Sequence, residues 1–92
     1  MPGGEPNADR KRLKIRLFAG AADAVGQATL DVELGPNTAT IGDLVAWLTR
    51  RHPDFSRVAR RLLAASNLKY ARPDTPLADG DEIAFFPPVS GG

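Results

Sequence analysis

Three observations in this 92-residue chain predict an α+β fold, a small mixed sheet packed on one main helix plus a short second helix. Two stretches near the N-terminus alternate apolar and polar residues, the middle carries one clear helical stripe, and a turn near the C-terminus feeds a short apolar run. The order read from these signals is strand, strand, helix, short helix, strand, strand. No repeat and no internal domain boundary interrupts it.

The first 12 residues contain two prolines, two glycines and no large apolar side chain after Met1. They cannot bury enough surface to order themselves and are expected to form a disordered arm. Residues 13–86 form the domain. In residues 13–19, Leu13, Ile15 and Leu17 share one face while Lys14, Arg16 and Phe18 share the other, the pattern of a strand buried on one side. Phe18 is the odd member of the polar face. Residues 20–26 are small and read as a loop, after which Ala28, Leu30, Val32 and Leu34 alternate with Thr29, Asp31 and Glu33 to give a second strand.

Gly35-Pro36-Asn37 ends that strand. Thr40 with Asp43 three residues on resembles a capping box, and Ile41, Leu44, Val45 and Leu48 then hold the spacing of a helix stripe, with Trp47 on its flank. Arg50, Arg51 and His52 suit the negative end of the helix dipole, and Pro53 stops the helix. A shorter helical pattern follows through Phe55, Val58, Ala59, Leu62 and Leu63, with Asp54 as its expected cap and Arg57, Arg60 and Arg61 on its polar side. Residues 67–72 read as a short strand with Leu68 and Tyr70 on one side, and residues 73–76 as a turn. Leu77 is an isolated anchor, and the Asp79-Gly80 turn opens the last strand. Parity in that strand puts Ile83 and Phe85 in the core and turns Phe86 outward, so adjacent first and last strands would gather Phe18 and Phe86 into an aromatic patch for a protein partner.

The function classes excluded are numerous. Net charge is +1 with both signs scattered, which favours neither nucleic acid nor membrane as a partner. The arginines 57, 60 and 61 lack interleaved exposed aromatics and read as a solvated helix face. No cysteine is present, so disulfides are out, and any sulfur chemistry must use something other than a side-chain thiol. No stretch approaches the roughly 18 apolar residues of a membrane span, and no signal peptide is visible, so a cytoplasmic location is expected. His52 has no ligand or nucleophile partners, and Leu77-Ala78 cannot supply calcium ligands ahead of Gly80, so no metal is expected. No phosphate-binding glycine motif occurs either.

What remains is the C-terminus. After Phe85-Phe86, Pro87 and Pro88 remove two backbone donors and end sheet pairing, and residues 87–92 form a flexible functional tail. Its reach is at most about 20 Å at ~3.3 Å per residue, enough to enter a deep pocket on another protein. Gly91 and Gly92 lack a Cβ, so a narrow partner site could close around them. Pro87, Pro88, Val89, Ser90 and Gly91 would then be the part that enters the partner, and Gly92 the working end.

From Leu13 to Gly92 the chain resembles the small subunits of molybdopterin synthase, a family of ubiquitin-like β-grasp sulfur carriers. The resemblance rests on Leu17-Phe18-Ala19, on the segment Pro76-Leu77-Ala78-Asp79-Gly80-Asp81-Glu82-Ile83-Ala84, and most specifically on Phe85-Phe86-Pro87-Pro88-Val89-Ser90-Gly91-Gly92. It implies a β-grasp fold and a chemical role for Gly92. The terminal carboxylate, ionised at neutral pH, would be adenylated by an ATP-using activating enzyme and converted by a sulfur donor system into a thiocarboxylate. The loaded tail would enter the synthase large subunit and give its sulfur to cyclic pyranopterin monophosphate, in molybdenum cofactor biosynthesis. Two such transfers build the dithiolene. The chain itself would bind no cofactor and act as a sulfur-donor subunit, with the catalytic groups on the large subunit. Ala22 stands where the family often has arginine, and Ser66 where it usually has valine. The same fold also serves carriers for thiamine, cysteine or tRNA thiolation and ubiquitin-like protein modifiers, which are the alternative readings.

Overall fold

The computed structural model describes residues 10–88. The arm expected over residues 1–12 therefore lies mostly outside the described residues, as do Val89, Ser90, Gly91 and Gly92. Within the described part, β1 spans Lys11–Leu17, α1 Gly20–Val25, β2 Thr29–Leu34 and α2 Ile41–Arg51. A 3-10 turn over Pro53–Phe55 leads into α3 (Ser56–Ala59), followed by β3 (Leu63–Ser66), β4 (Lys69–Ala71) and β5 (Glu82–Phe86).

The five strands form one sheet in the order β2-β1-β5-β3-β4. β1 and β5 are parallel central neighbours, with Ile15 opposite Ile83 and Leu17 opposite Phe85, while every other pairing is antiparallel. The alternation in the sequence explains the layering. Leu13, Ile15, Leu17, Leu34, Ile83 and Phe85 are buried on one face, where Ile41, Leu44 and Leu48 of α2 meet them. Seven large side chains there are fully buried, each worth about 1.5–3 kcal/mol of apolar burial. Phe55 and Phe85 pack edge to face at 5.8 Å between ring centroids, which ties the 3-10 turn to the last strand.

Helix α2 begins where its capping residues demand. The Asp43 N–H donates to the Thr40 hydroxyl (3.2 Å), and the Asp43 carboxylate accepts from the Thr40 N–H (3.2 Å) and the Ala39 N–H (3.0 Å). Led by the Ala39 bond, these contacts hold the Asp43 carboxyl below its ordinary pKa. At the other end Arg51 lies 4.6 Å from the centre of the Trp47 ring, so the flanking tryptophan is partly covered by a cation.

The structure departs from the sequence expectations at four places. The first strand starts at Lys11 and stops at Leu17, so Phe18 and Ala19 lie beyond it, and Ala19 turns the chain with φ 51°. The stretch after it is not a loop but α1, whose Ala21 is fully buried. The expected second helix is cut to the 3-10 turn and α3, and Asp54 makes no side-chain cap there. Leu63 belongs instead to β3, where its backbone pairs with Phe86 of β5. The single short strand expected over residues 67–72 is instead a hairpin, in which Asn67 (φ 52°) and Leu68 (φ 72°) make the turn between β3 and β4.

Candidate functional site

The outer face of the sheet is built by the same parity that fills the core. Over β1 and β2 it is charged: Arg12, Lys14 and Arg16 stand opposite Glu33, Asp31 and Thr29 in the pairing register. Over β5, β3 and β4 it is apolar, with Phe86 opposite Leu63, and Ala84, Ala65 and Tyr70 forming the next row. The Arg16 guanidinium donates to the Glu82 carboxylate at 3.1 Å, across the seam between the two halves. Arg16 and Glu82 are both about half exposed, so this pair marks a boundary more than it stabilises the fold.

The apolar half carries unusual surface residues. Leu63 is 38% exposed, Phe18 48%, Tyr70 79% and Leu68 97%. Single exposed apolar groups are ordinary, but Leu63 and Tyr70 both adjoin the partly buried Phe86, while Leu68 sits in the turn at the far end of the same face. Phe18, just past the end of β1, and Phe86, the last residue of β5, stand at the same end of neighbouring parallel strands. The Phe18 N–H still donates to the Phe85 carbonyl (3.1 Å), which continues the ladder one residue past β1. Phe86, however, finds its ring partner on the other side, in Tyr70 at 6.1 Å between centroids. The patch therefore spreads across β5 onto β3 and β4, and Leu63 and Tyr70 are members that sequence reasoning missed. Their signal was present in the alternation of Leu63 and Ala65 with Ala64 and Ser66. The small alanines hid it.

The hairpin at the far end of this face is held rigidly. The Asn67 side chain donates to the Asp81 carboxylate (2.9 Å) and accepts from the Glu82 N–H (2.9 Å). The Asn67 N–H donates to the Glu82 carbonyl (2.8 Å). Asp79 and Asp81 serve the turn before β5: their carboxylates accept from the Arg12 N–H (2.7 Å) and the Ala78 N–H (2.8 Å), respectively, around Gly80 at φ 88°. These carboxylates are engaged in turn chemistry, and among the described residues no group of three or more His, Cys, Asp or Glu could hold a metal ion. His52 caps the end of α2 through its backbone and sits in no nucleophilic arrangement. No helix among the described residues is long and apolar enough to cross a membrane.

The tail leaves from the middle of this geometry. β5 is a central strand, and it ends at Phe86 beside Leu63. Pro87 and Pro88 follow as exposed residues without the N–H groups that would extend the ladder. Chemically, the described residues offer an apolar surface around the end of β5, and no self-contained set of acid, base or nucleophile.

Residues 15–92 match the ThiS family. The molybdopterin synthase sulfur carrier subunit of Chlamydomonas reinhardtii is 36% identical over 88% of this chain and 99% of its own length. The crystal structure of SAMP1 from Haloferax volcanii superposes with a TM-score of 0.73 at 35% identity, covering 88% of this chain and 99% of that one. Subunit 1 or 2 in a protein–protein complex of the molybdopterin-converting factor from Helicobacter pylori shares the fold at a TM-score of 0.63 and 23% identity, over 88% of this chain and 99% of its own. The five-stranded mixed sheet grasping α2 is the ubiquitin-like β-grasp architecture.

Proposed function

The chain belongs to the ThiS family, and from that premise we propose that it is a sulfur carrier of the molybdopterin synthase small-subunit type, with the Gly92 carboxylate as its reactive group. The observation that carries this reading is the extent of the family match, which runs through residue 92 and so includes the Gly-Gly end. The surrounding geometry supports it: a central strand delivers the tail, two exposed prolines free it from the sheet, and an apolar surface surrounds its root.

The chemistry divides among partners. On an activating enzyme, a Gly92 carboxylate oxygen attacks the α-phosphorus of ATP and pyrophosphate leaves. A hydrosulfide-level nucleophile from a sulfur donor system then adds at the acyl carbon, and AMP departs to leave the thiocarboxylate. Within the synthase, that sulfur attacks an oxygen-bearing carbon of cyclic pyranopterin monophosphate, the C–O bond at that carbon breaks and the oxygen leaves, and water cleaves the acyl C–S bond to return the carboxylate. This chain supplies the terminus, the spacer and the docking surface; ATP is used by the activating enzyme and the pterin is held by the large subunit. The complex formed by the Helicobacter pylori proteins supports a large-subunit partner. Phe86, Leu63, Tyr70 and Phe18 form the contact surface in this account.

The test is intact mass spectrometry of the chain after incubation with an activating enzyme, ATP and sulfide. Replacement of one oxygen by sulfur within the C-terminal peptide is expected, and loss of the change on removing Gly91-Gly92. An unmodified chain, with an activating enzyme proven competent on another carrier, would overturn the reading. A second reading has its own support: a relative 34% identical over 87% of this chain is named small archaeal modifier protein 1. Gly92 would then join lysine amines, and conjugates resistant to denaturing gels would show it.

A further inference from the structure

The second helical segment carries three arginines that the sulfur-carrier role does not use. The fold places them at the tail. Leu63 pairs with Phe86 in antiparallel register, so the turn before Leu63, which holds Arg60 and Arg61, stands at the same end of the sheet as Pro87 and Pro88. A separate proximity places the same segment from the other side. A Cβ placed on Gly20 would meet the Val58 side chain at 3.5 Å, and Gly20 lies two residues past Phe18, whose N–H is bonded to Phe85. Both observations put α3 at the end of the sheet where β5 finishes, on the side of the helices.

All three arginines are exposed, and among the described residues none forms an ion pair, in contrast to Arg10, Arg12 and Arg16. Arg60 borders the groove between α2 and the β3–β4 hairpin, next to Ala59, Ala64 and Tyr70. The tail root is thus flanked by an apolar surface on the outer face and by uncompensated positive charge on the helix side. A protein that swallows the tail must bring the mouth of its channel against both. Guanidinium groups within about 8–10 Å of that mouth act on it with little screening at physiological ionic strength.

We propose that Arg57, Arg60 and Arg61 form an electrostatic docking collar, and that the large subunit which takes up the tail presents carboxylates on the rim facing them. The apolar patch then supplies most of the hold. The collar sets the rotation of the domain about the tail and speeds encounter, as charges at an interface rim do. This inference rests on the sulfur-carrier reading, because it takes the large subunit as the tail's acceptor.

The experiment measures association of the full chain with its own large subunit across a sodium chloride series. The charge reversal R60E/R61E is compared with R12E/K69E, which makes the same change in net charge at the opposite end of the sheet, where Arg12 and Lys69 lie near the start of β5. R60E/R61E should associate about tenfold more slowly at low salt and converge on the unmodified chain at high salt, with R12E/K69E close to the unmodified chain throughout. Unfolding midpoints confirm that both variants remain folded, and R60Q/R61Q repeats the test with less perturbation. Equal rates and equal salt slopes for all chains, or equal slowing by both reversals, would overturn the collar while leaving the carrier reading standing. Absence of any binding by the unmodified chain would overturn the carrier reading and the collar with it.

Discussion

Phe85 and Phe86 are neighbours in sequence and opposites in role, which makes their truncation a sharp test. Phe85 is 2% exposed and packs edge to face with Phe55. Phe85→Ala removes a core ring that its surroundings cannot replace, at a cost of about 3–5 kcal/mol. Against a total stability of about 5–15 kcal/mol for a small domain, that is a large part of the whole. Phe86 is only partly buried and leans on Tyr70, so Phe86→Ala should cost the isolated domain about 1 kcal/mol. In the complex the ring becomes desolvated, and its loss should weaken binding to the large subunit by about 2 kcal/mol, roughly thirtyfold. Urea denaturation followed by circular dichroism gives the first pair of numbers, and titration calorimetry against the large subunit gives the binding loss for Phe86→Ala. Equal destabilisation by the two variants, or unchanged affinity for Phe86→Ala, would refute the division of faces on which the docking surface depends.

Other consequences are local. Leu68→Gly should stabilise the domain by about 1 kcal/mol, since an L-residue at positive φ is strained by about 1–2 kcal/mol and glycine gives back only about 0.5–1 in backbone entropy. Leu68 is 97% exposed, so almost no burial is lost, and a lower urea midpoint would show that its side chain has a structural partner. Asp43 predicts a pH dependence. Its folded carboxyl is held below the ordinary value, so its contribution is full above the unfolded pKa and disappears as pH falls through the lowered one. The unfolding midpoints of the unmodified chain and Asp43→Asn should therefore differ at neutral pH and converge in strong acid; a constant gap would contradict the capping geometry.

Legibility varied with how local the deciding interaction was. Parity alone placed Ile83 and Phe85 inside and Phe86 outside, because a strand offers two faces and one is buried. The Thr40–Asp43 box was readable because both partners lie within one turn. Helix α1 was not readable: its stretch is mostly alanine and glycine, and Ala21 is buried by what surrounds it, not by its own size. Leu63, the first residue of β3, reads as helix because Leu62 and Leu63 happen to continue the spacing of Phe55, Val58 and Ala59, whereas the pairing with β5 that decides the matter lies about 20 residues away along the chain. Without that pairing, nothing in the sequence brings Leu63 and Tyr70 alongside Phe86. Reading Leu63 as helix also hides the placement of Arg60 and Arg61, which as a helix face have no special location and as a strand lead-in stand at the end of the sheet where β5 finishes.

The central claim is that sulfur leaves this chain from Gly92. A chain carrying an isotopically labelled C-terminal thiocarboxylate, made by sulfide cleavage of an intein fusion so that no activating enzyme is needed, can be mixed with the large subunit and cyclic pyranopterin monophosphate. The label should pass to the pterin while the chain returns to an unlabelled carboxylate. Label that stays on the chain, or that leaves as free sulfide with the pterin unchanged, would contradict the account.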